Sequence, residues 1–399
     1  MAAGLKRTFL LAAPALLLIG SGGMAPALAT TYRIQATTRA NELRAPREGN
    51  ETFINTIQGL VGGRSTPESS SHRLQLRLDA TESAAAPEGE HLVPAGLLMG
   101  RALPLRSSDV DGQDPVEQTT ALPKAGRLAE TGRLLIYRGC AEAGGSGSAE
   151  VIALTDLPAE QRRKVTDALR KARSIHGSGG TFSGGNVGAE STIGWPQESG
   201  SGKLPPAASL VGQHRLISNV APEISFRVDR AHDFLPPLRL GVSSDGQERR
   251  LRWQPLPSAL GFQALAMGTG RQPDDVVIWT SSTAPWEDSA IPGTLRAAGA
   301  EDLVRRGVLL SPRQTSCTIR AEAMDQLETA MVSLAAFGDT LVLSSPPDSP
   351  AWQLSLERVS LTSQPLFITS GAEKGLDGNG EEPRRRGRGR GFSLFRTWF

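Results

Sequence analysis

Short runs in which apolar and polar residues alternate dominate this chain. In Leu74-Gln75-Leu76-Arg77-Leu78 every leucine falls on one face of an extended strand, and Tyr32 to Ala36 follows the same period of two. Leu92 to Met99, Ala102 to Leu105 and Arg133 to Tyr137 add apolar or alternating segments, separated by loops rich in Gly, Pro and Ser. The second half is denser. Glu223 to Val228, Arg249 to Trp253, Gly261 to Met267, Val276 to Thr280, Cys317 to Ala321, Met331 to Ala336 and Ala351 to Ser355 read as seven short strands with turn signals between them, the outline of a β-sandwich. Helical spacing is confined to short pieces. Phe53, Ile54, Ile57, Leu60 and Val61 share a face within Asn50 to Val61, Asp156 and Pro158 start a helix that runs toward Arg173, and a further short helix is expected around Leu295 to Arg306.

Composition agrees with that pattern. With 44 Gly and 27 Pro among 399 residues, long helices are disfavoured against strands joined by many turns. The length suits two domains. The expected organisation is a mainly β protein of two β-sandwich-like domains with a few short helices, long Gly/Ser-rich loops and a disordered basic tail. Its spans are 1–29, a leader; 30–154, a β-rich domain; 155–219, a short helix and Gly/Ser-rich linker; 220–370, a second sandwich; and 371–399, the tail.

The leader supplies an address. Lys6 and Arg7 precede an apolar core from Phe9 to Gly20, and Ala27-Leu28-Ala29 offers the small residues needed for cleavage between Ala29 and Thr30. The apolar run is about twelve residues, whereas a membrane-spanning helix takes roughly twenty, so export with release is expected over anchoring. The destination is the periplasm or the exterior, peripheral to the envelope. Charge is also unevenly placed. The formal total is +2, and the positive excess sits in the leader and in the tail, where six arginines and two glutamates follow Gly380.

In the second half, Leu251-Arg252-Trp253-Gln254-Pro255-Leu256 is followed by Ala259-Leu260-Gly261-Phe262-Gln263-Ala264. A tryptophan followed by an Ala-x-Gly-aromatic step resembles the second and third strands of a fibronectin type III module, and Met331 to Gly338 is similar to that fold's later core strand. The resemblance spans 220–363, with 285–310 as an insertion. It implies a scaffold or binding role, since that sandwich rarely hosts catalysis. The chain as a whole resembles uncharacterised exported bacterial β-rich proteins, through the Gly139-Cys140 turn after a strand and the Trp279-Thr280-Ser281-Ser282 segment. No activity comes with that resemblance.

Candidate chemistry is sparse. His72, His91, His176, His214 and His232 show no pair at ligand spacing, so no metal site is expected, and no cofactor-binding or catalytic motif is found. Ser199-Gly200-Ser201-Gly202-Lys203 lacks the leading glycine and following hydroxyl of a phosphate loop. Asp229, His232 and Asp233, and the Asp274-Asp275 pair, are candidates for a carboxylate and base, but turn and cap roles account for them more economically. The basic run Arg162, Arg163, Lys164, Arg170, Lys171 and Arg173 is either an anion-docking surface or a solvated helix face. Trp253, Trp279 and Trp352 fall in strand patterns and suit a core; Trp195 and Trp286 fall in loops and suit either anchoring or stacking on a ligand. Cys140 and Cys317 are the two cysteines, and in an oxidising compartment they form either a disulfide or two buried thiols.

The tail is the remaining candidate. Arg384, Arg385, Arg386, Arg388 and Arg390 precede Phe392, Leu394, Phe395, Trp398 and Phe399. Cations followed by aromatics suit an anionic membrane or glycolipid surface. Arg/Gly runs with aromatics also bind single-stranded nucleic acid, a partner that an exported address disfavours. The resulting expectation is a non-catalytic envelope binding or scaffolding protein of unknown protein or glycan ligand. The rival is an exported hydrolase of an envelope polymer that uses Asp229 or Asp274.

Overall fold

In the computed structural model, the described residues are 30–40, 70–107, 132–144, 147–163, 165, 189–197, 202–272, 274–284 and 299–366. The segments expected to form a leader and a helix over Asn50 to Val61, together with Trp286 and the arginine tail with Trp398, lie outside them.

The protein is mainly β. The first half of the chain supplies β1 (Thr30–Ala40), β2 (Ser70–Ala80), β3 (Glu88–Leu92), β4 (Ala102–Ser107), β5 (Arg133–Arg138), β6 (Glu150–Ala153) and β7 (Ser191–Trp195). The second supplies β8 (Lys203–Leu204), β9 (Gly212–Ser218), β10 (Ile224–Val228), β11 (Leu240–Asp245), β12 (Glu248–Trp253), β13 (Ala259–Gly270) and β14 (Val276–Thr280). After these come α1 (Ala300–Arg305), β15 (Ser316–Ile319), α2 (Ala321–Gln326), β16 (Leu327–Gly338), β17 (Leu341–Ser344) and β18 (Trp352–Pro365). One large sheet runs β10-β9-β3-β4-β7-β2-β1-β18-β16-β13-β14-β5-β6, with β17 on β18 and β8 on β2. A smaller sheet runs β11-β12-β15.

The middle of the large sheet is its oldest and youngest chain side by side. β1 pairs antiparallel with β2 and parallel with β18, Thr30 opposite Trp352 and Ala40 opposite Thr362. Strict alternation sorts β1 into two faces. Tyr32, Ile34 and Ala36 join Leu74, Leu76, Leu78, Leu354 and Leu356 in one apolar cluster. Arg33, Gln35, Thr37 and Arg39 point the other way and are also buried. A strand covered on both faces with one polar face is why only five of its eleven residues, Tyr32 to Ala36, read as a strand from sequence.

On the β1 to β10 side the sheet curls. Its inner cluster gathers Leu103 and Leu105 of β4, Ile193 of β7, Leu216 of β9 and Ile224, Phe226 and Val228 of β10 together with the leucines of β18. Strands at opposite ends of that sequence of neighbours can share one cluster only if the sheet bends round it.

On the other side, β11-β12-β15 faces β14-β13-β16 across a second core. Leu251, Trp253, Cys317 and Ile319 pack with Phe262, Ala264, Trp279, Val332 and Leu334, and the Trp253 and Phe262 rings meet at 5.6 Å. Successive strands change sheets, from β12 to β13, from β14 to β15 and from β15 to β16, with β18 completing the larger side. Behind β13 and β16, α1 and the following Val308 and Leu309 cover a third cluster. Here Gly261 matters: a Cβ at that position would lie 3.0 Å from Val304 Cγ2 and 3.1 Å from Leu310 O, so the backbone of β13 approaches this layer closely enough that a larger residue would push its neighbours outward.

Between the two cores, the chain from Asp229 to Leu240 crosses the face of β1 and β18. Thr38 Oγ1 donates to Leu235 O, Ser360 Oγ donates to Pro236 O and accepts from Leu238 N, and Arg358 Nη1 donates to Ala231 O. Two differences from the sequence reading concern placement. The 155–219 span, expected as helix and linker, contributes β7, β8 and β9 to the sheet, and β7 lies between β4 and β2. β5 and β6, expected with the first strands, pair instead at the far edge, β5 running parallel to β14. The expected helix after Pro158 is present at 159–163 and 165, and Val165 packs on the third cluster.

Candidate functional site

Three buried constellations stand out among the described residues, the first of them built around a covalent link. The link is a disulfide between Cys140 and Cys317, so the alternative of two separate thiols is set aside. Both residues are buried. Its surroundings explain the two short segments singled out from sequence. Gly139 follows β5 with φ of 78°, a left-handed conformation that other residues adopt at a cost. Its N–H donates to Thr280 O at 2.8 Å, and its carbonyl accepts the indole N–H of Trp279 at 3.2 Å. The next residue, Cys140, is thereby aimed at Cys317 on β15. The turn after it is fastened too, because Thr318 donates both its N–H and its hydroxyl to the Glu142 carboxylate. Those hydrogen bonds hold the Glu142 carboxyl below its ordinary range despite partial burial that pushes it up. Ser281 closes the segment by exchanging bonds with the backbone of Ala264.

A second constellation centres on Asp79, whose carboxylate is fully buried. It accepts from Arg33 of β1, from Arg77 Nε at 2.9 Å and from the Thr192 hydroxyl of β7 at 2.8 Å. Arg33 and Arg77 are directly opposed cross-strand partners. Like charges in that register repel, and the carboxylate between them offsets the repulsion. Both carboxylate oxygens are engaged in structure.

The third constellation is one the sequence did not disclose. His91 of β3 and His214 of β9 are 123 residues apart in the chain, yet their Nε2 and Nδ1 atoms meet at 2.9 Å. Tyr32 of β1 contacts His91 Nδ1 at 2.6 Å, and His214 Nε2 contacts Leu210 O at 2.7 Å. All three side chains are buried, with Phe226 stacked on the His214 ring. Neither β3 nor β9 reads as a strand from sequence, and spacing along the chain says nothing about which strands meet.

The candidate acids occupy turn positions. Asp229 caps the short turn Arg230–His232, accepting from the His232 N–H at 3.1 Å and from His232 Nδ1 at 2.8 Å. The histidine bond holds the Asp229 carboxyl below its usual range. His232 Nε2 faces Asp339 at 3.9 Å, so the ring lies between two carboxylates. Asp233 accepts from Leu210 N, Phe234 N and Ser209 Oγ. Asp274 occupies the β13–β14 turn with φ of 69°, and Asp275 is gripped by Arg133 through two bonds of 3.0 and 2.6 Å. Asp229 and Asp274 are on separate turns, of the β10–β11 and β13–β14 connections. Among the described residues no cluster of three or more His, Cys, Asp or Glu is arranged to hold a metal ion.

Three tryptophans lie as their strand contexts suggest and a fourth does not. Trp253 and Trp279 are core residues, Trp352 packs partly against the curled cluster, and Trp195, expected in a loop, ends β7 and packs there too. No protein-family model, curated protein or solved structure matches this chain.

Proposed function

We propose that the protein is an exported, non-catalytic binding or scaffolding component of the cell envelope, released by cleavage after Ala29. In this reading its C-terminal half is a fibronectin type III-like sandwich, and the tail from Arg384 to Arg390 holds it against an anionic membrane or glycolipid surface.

The observation that carries the reading is the buried Cys140–Cys317 bond. Structural disulfides persist in oxidising compartments and are rare where glutathione keeps thiols reduced. This one joins segments 177 residues apart in the chain and is walled in by secondary structure, as a structural bond is. The sandwich assignment is supported by strand order: a three-stranded sheet β11-β12-β15 opposes β14-β13-β16-β18, with Trp253 and Phe262 meeting between them. The acids that a hydrolase would use are supported as caps and ion-pair partners instead. Charge supports the tether, since five arginines within seven positions are worth roughly 1 kcal/mol each near anionic headgroups.

Cell fractionation tests the whole proposal. Full-length protein and a chain ending at Pro383 are produced in parallel, the mature N-terminus is read by mass spectrometry, and membranes are washed with high salt. The expected result is cleavage at Ala29–Thr30, sedimentation of the longer form with the envelope, its release by salt, and a soluble shorter form. Equal solubility of both forms after export removes the tether, and retention of uncleaved protein in the cytoplasm removes the export reading.

A further inference from the structure

The buried Tyr32–His91–His214 chain has a defined proton order. Leu210 O is an acceptor only, so His214 Nε2 carries a proton and donates to it. In a neutral ring His214 Nδ1 is then bare and accepts from His91 Nε2–H. By the same step His91 Nδ1 is bare and accepts the Tyr32 hydroxyl proton. Two neutral rings and one phenol thus complete three bonds with every donor used and every ring nitrogen engaged.

The chain is also a strut. In the sheet, β1 and β3 are separated by β2, β7 and β4, so the Tyr32–His91 bond does not follow the ladder. It crosses the interior of the curled half and ties opposite walls, and the His91–His214 bond continues it to β9. We propose that this strut is an acid-sensitive latch that keeps the curled half of the sheet closed at neutral pH and releases it on mild acidification.

A proton added to His214 Nδ1 would face the His91 N–H head on. One added to His91 Nδ1 would face the Tyr32 oxygen and leave the phenol proton without its acceptor. Either way a buried cation is formed where a matched chain stood. Burial first, and for His91 the neighbouring His214 second, hold the rings below the ordinary histidine range, and burial pushes the Tyr32 hydroxyl up. The surroundings offer little relief. β10 contributes Phe226; the crossing between β10 and β11 contributes Asp233, which is already bound to Leu210 N and Ser209 of the loop before β9; and His72 of β2 binds Ala208 O and stacks on Phe234. Among the described residues no carboxylate hydrogen-bonds either ring.

The sign follows from proton binding. Below pH ~6.5 the unfolded chain takes up protons on histidines that the folded pair refuses, so stability falls as pH falls. Between pH 7.5 and 5.0 the closed-to-open equilibrium drops about 30-fold for each histidine that stays neutral in the closed form.

Hydrogen-exchange mass spectrometry of the mature protein at the two pH values, corrected for intrinsic exchange rates, tests the latch. Amides of β1, β3 and β9 are expected to lose about 30-fold or more of their protection at pH 5.0. In His91→Gln, which keeps a donor and an acceptor but gains no proton, the loss should shrink by about that factor, whereas His232→Gln should behave as the wild type. A loss of equal size in His91→Gln, or no loss in the wild type, overturns the proposal. Should His91→Gln not fold, carbon-13 imidazole spectra of the wild type decide: a latch requires both buried rings to stay neutral until these strands lose protection, and a ring that titrates near pH 6.5 with protection intact rules it out.

Discussion

Ile34 lies directly opposite Leu356 in a parallel ladder, near the start of the described chain and near its end. Parallel neighbours need a crossover, and here the crossover is nearly everything else in the protein. β1 is therefore not an N-terminal strand laid on a finished fold; the central strand of the sheet cannot acquire its second neighbour until the last strand is available. A chain ending at Pro350 loses β18 and with it Leu354 and Leu356 from the curled core. It is expected to give no cooperative thermal transition by circular dichroism, while a chain ending at Pro383 keeps the transition. Cooperative unfolding of the shorter chain would show that β1 does not depend on β18.

The disulfide closes a loop of 177 residues between positions that the folded chain already holds together. A link of that length acts mainly on the unfolded ensemble, and removing a native bond costs about 2–5 kcal/mol. Cys140→Ala with Cys317→Ala is expected to lower the urea midpoint accordingly. Because both sulfurs are buried, reductant alone should leave the native bond intact and cleave it once urea opens the sandwich. Rapid reduction without denaturant would place the bond in a far more open setting than the one seen.

Strands with one polar and one apolar face were legible in the sequence, as were almost wholly apolar ones such as Val276 to Thr280; those that bury polar residues or carry glycine were legible only in part or not at all. Leu74 to Leu78 alternates because one face of β2 meets the curled core, and the alternation located the strand. β18 runs to fourteen residues, of which sequence reading captured the beginning, because Glu357 and Arg358 interrupt the pattern. Both are buried, and Arg358 is tied to backbone carbonyls of the crossing segment at Ala231 and Asp233. Glycine misled in the same way. Ser191-Thr192-Ile193-Gly194-Trp195 follows a Gly/Ser-rich run and reads as linker, but Gly194 is where β7 passes close to β2, with Leu76 O 2.9 Å from the place of a Cβ. The histidine chain was invisible because it depends on which strands meet across the curl, and spacing along the chain carries no such information.

Trp279 and Gly139 form a pair that can be tested by two small changes. Trp279→Phe keeps a ring in the core and removes the N–H that serves the Gly139 carbonyl, so a loss of about 1–3 kcal/mol is expected from the buried acceptor left unmet, besides the smaller ring. Gly139→Ala retains that bond but places a Cβ on a left-handed residue, costing roughly 1–2 kcal/mol. Urea unfolding at unchanged m reads both, and a double variant should fall short of the sum because the two changes act on one turn.

Gly261→Ala probes the layer behind β13. The added methyl would meet Val304, Leu309 and Leu310 at 3.0 to 3.1 Å, and two of those contacts are ends of flexible side chains while the third is backbone. Overpacking of this kind costs about 1–3 kcal/mol. Thermal unfolding is the check, and the low end of the range would mean that α1 shifts outward to take up the methyl. A variant as stable as the wild type would show that the glycine is not required for the approach.

Asp79→Asn is expected to be the most damaging isosteric change in the curled half. The carboxylate is what allows Arg33 and Arg77 to stand opposite one another, and an amide removes the charge and turns a donor toward donors. Breaking a buried pair by removing one partner costs about 3–5 kcal/mol, because the remaining charge is left without compensation. The partners should not be equivalent. Arg33 is buried and Arg77 is partly open to water, its side chain 22% exposed, so Arg77→Met should cost less than Asp79→Asn. If charge compensation is the cause, Arg33→Met combined with Asp79→Asn should recover part of the loss in urea unfolding, since the uncompensated cation is then gone. A double variant no better than Asp79→Asn alone would instead assign the loss to the Thr192 bond and the packing around it.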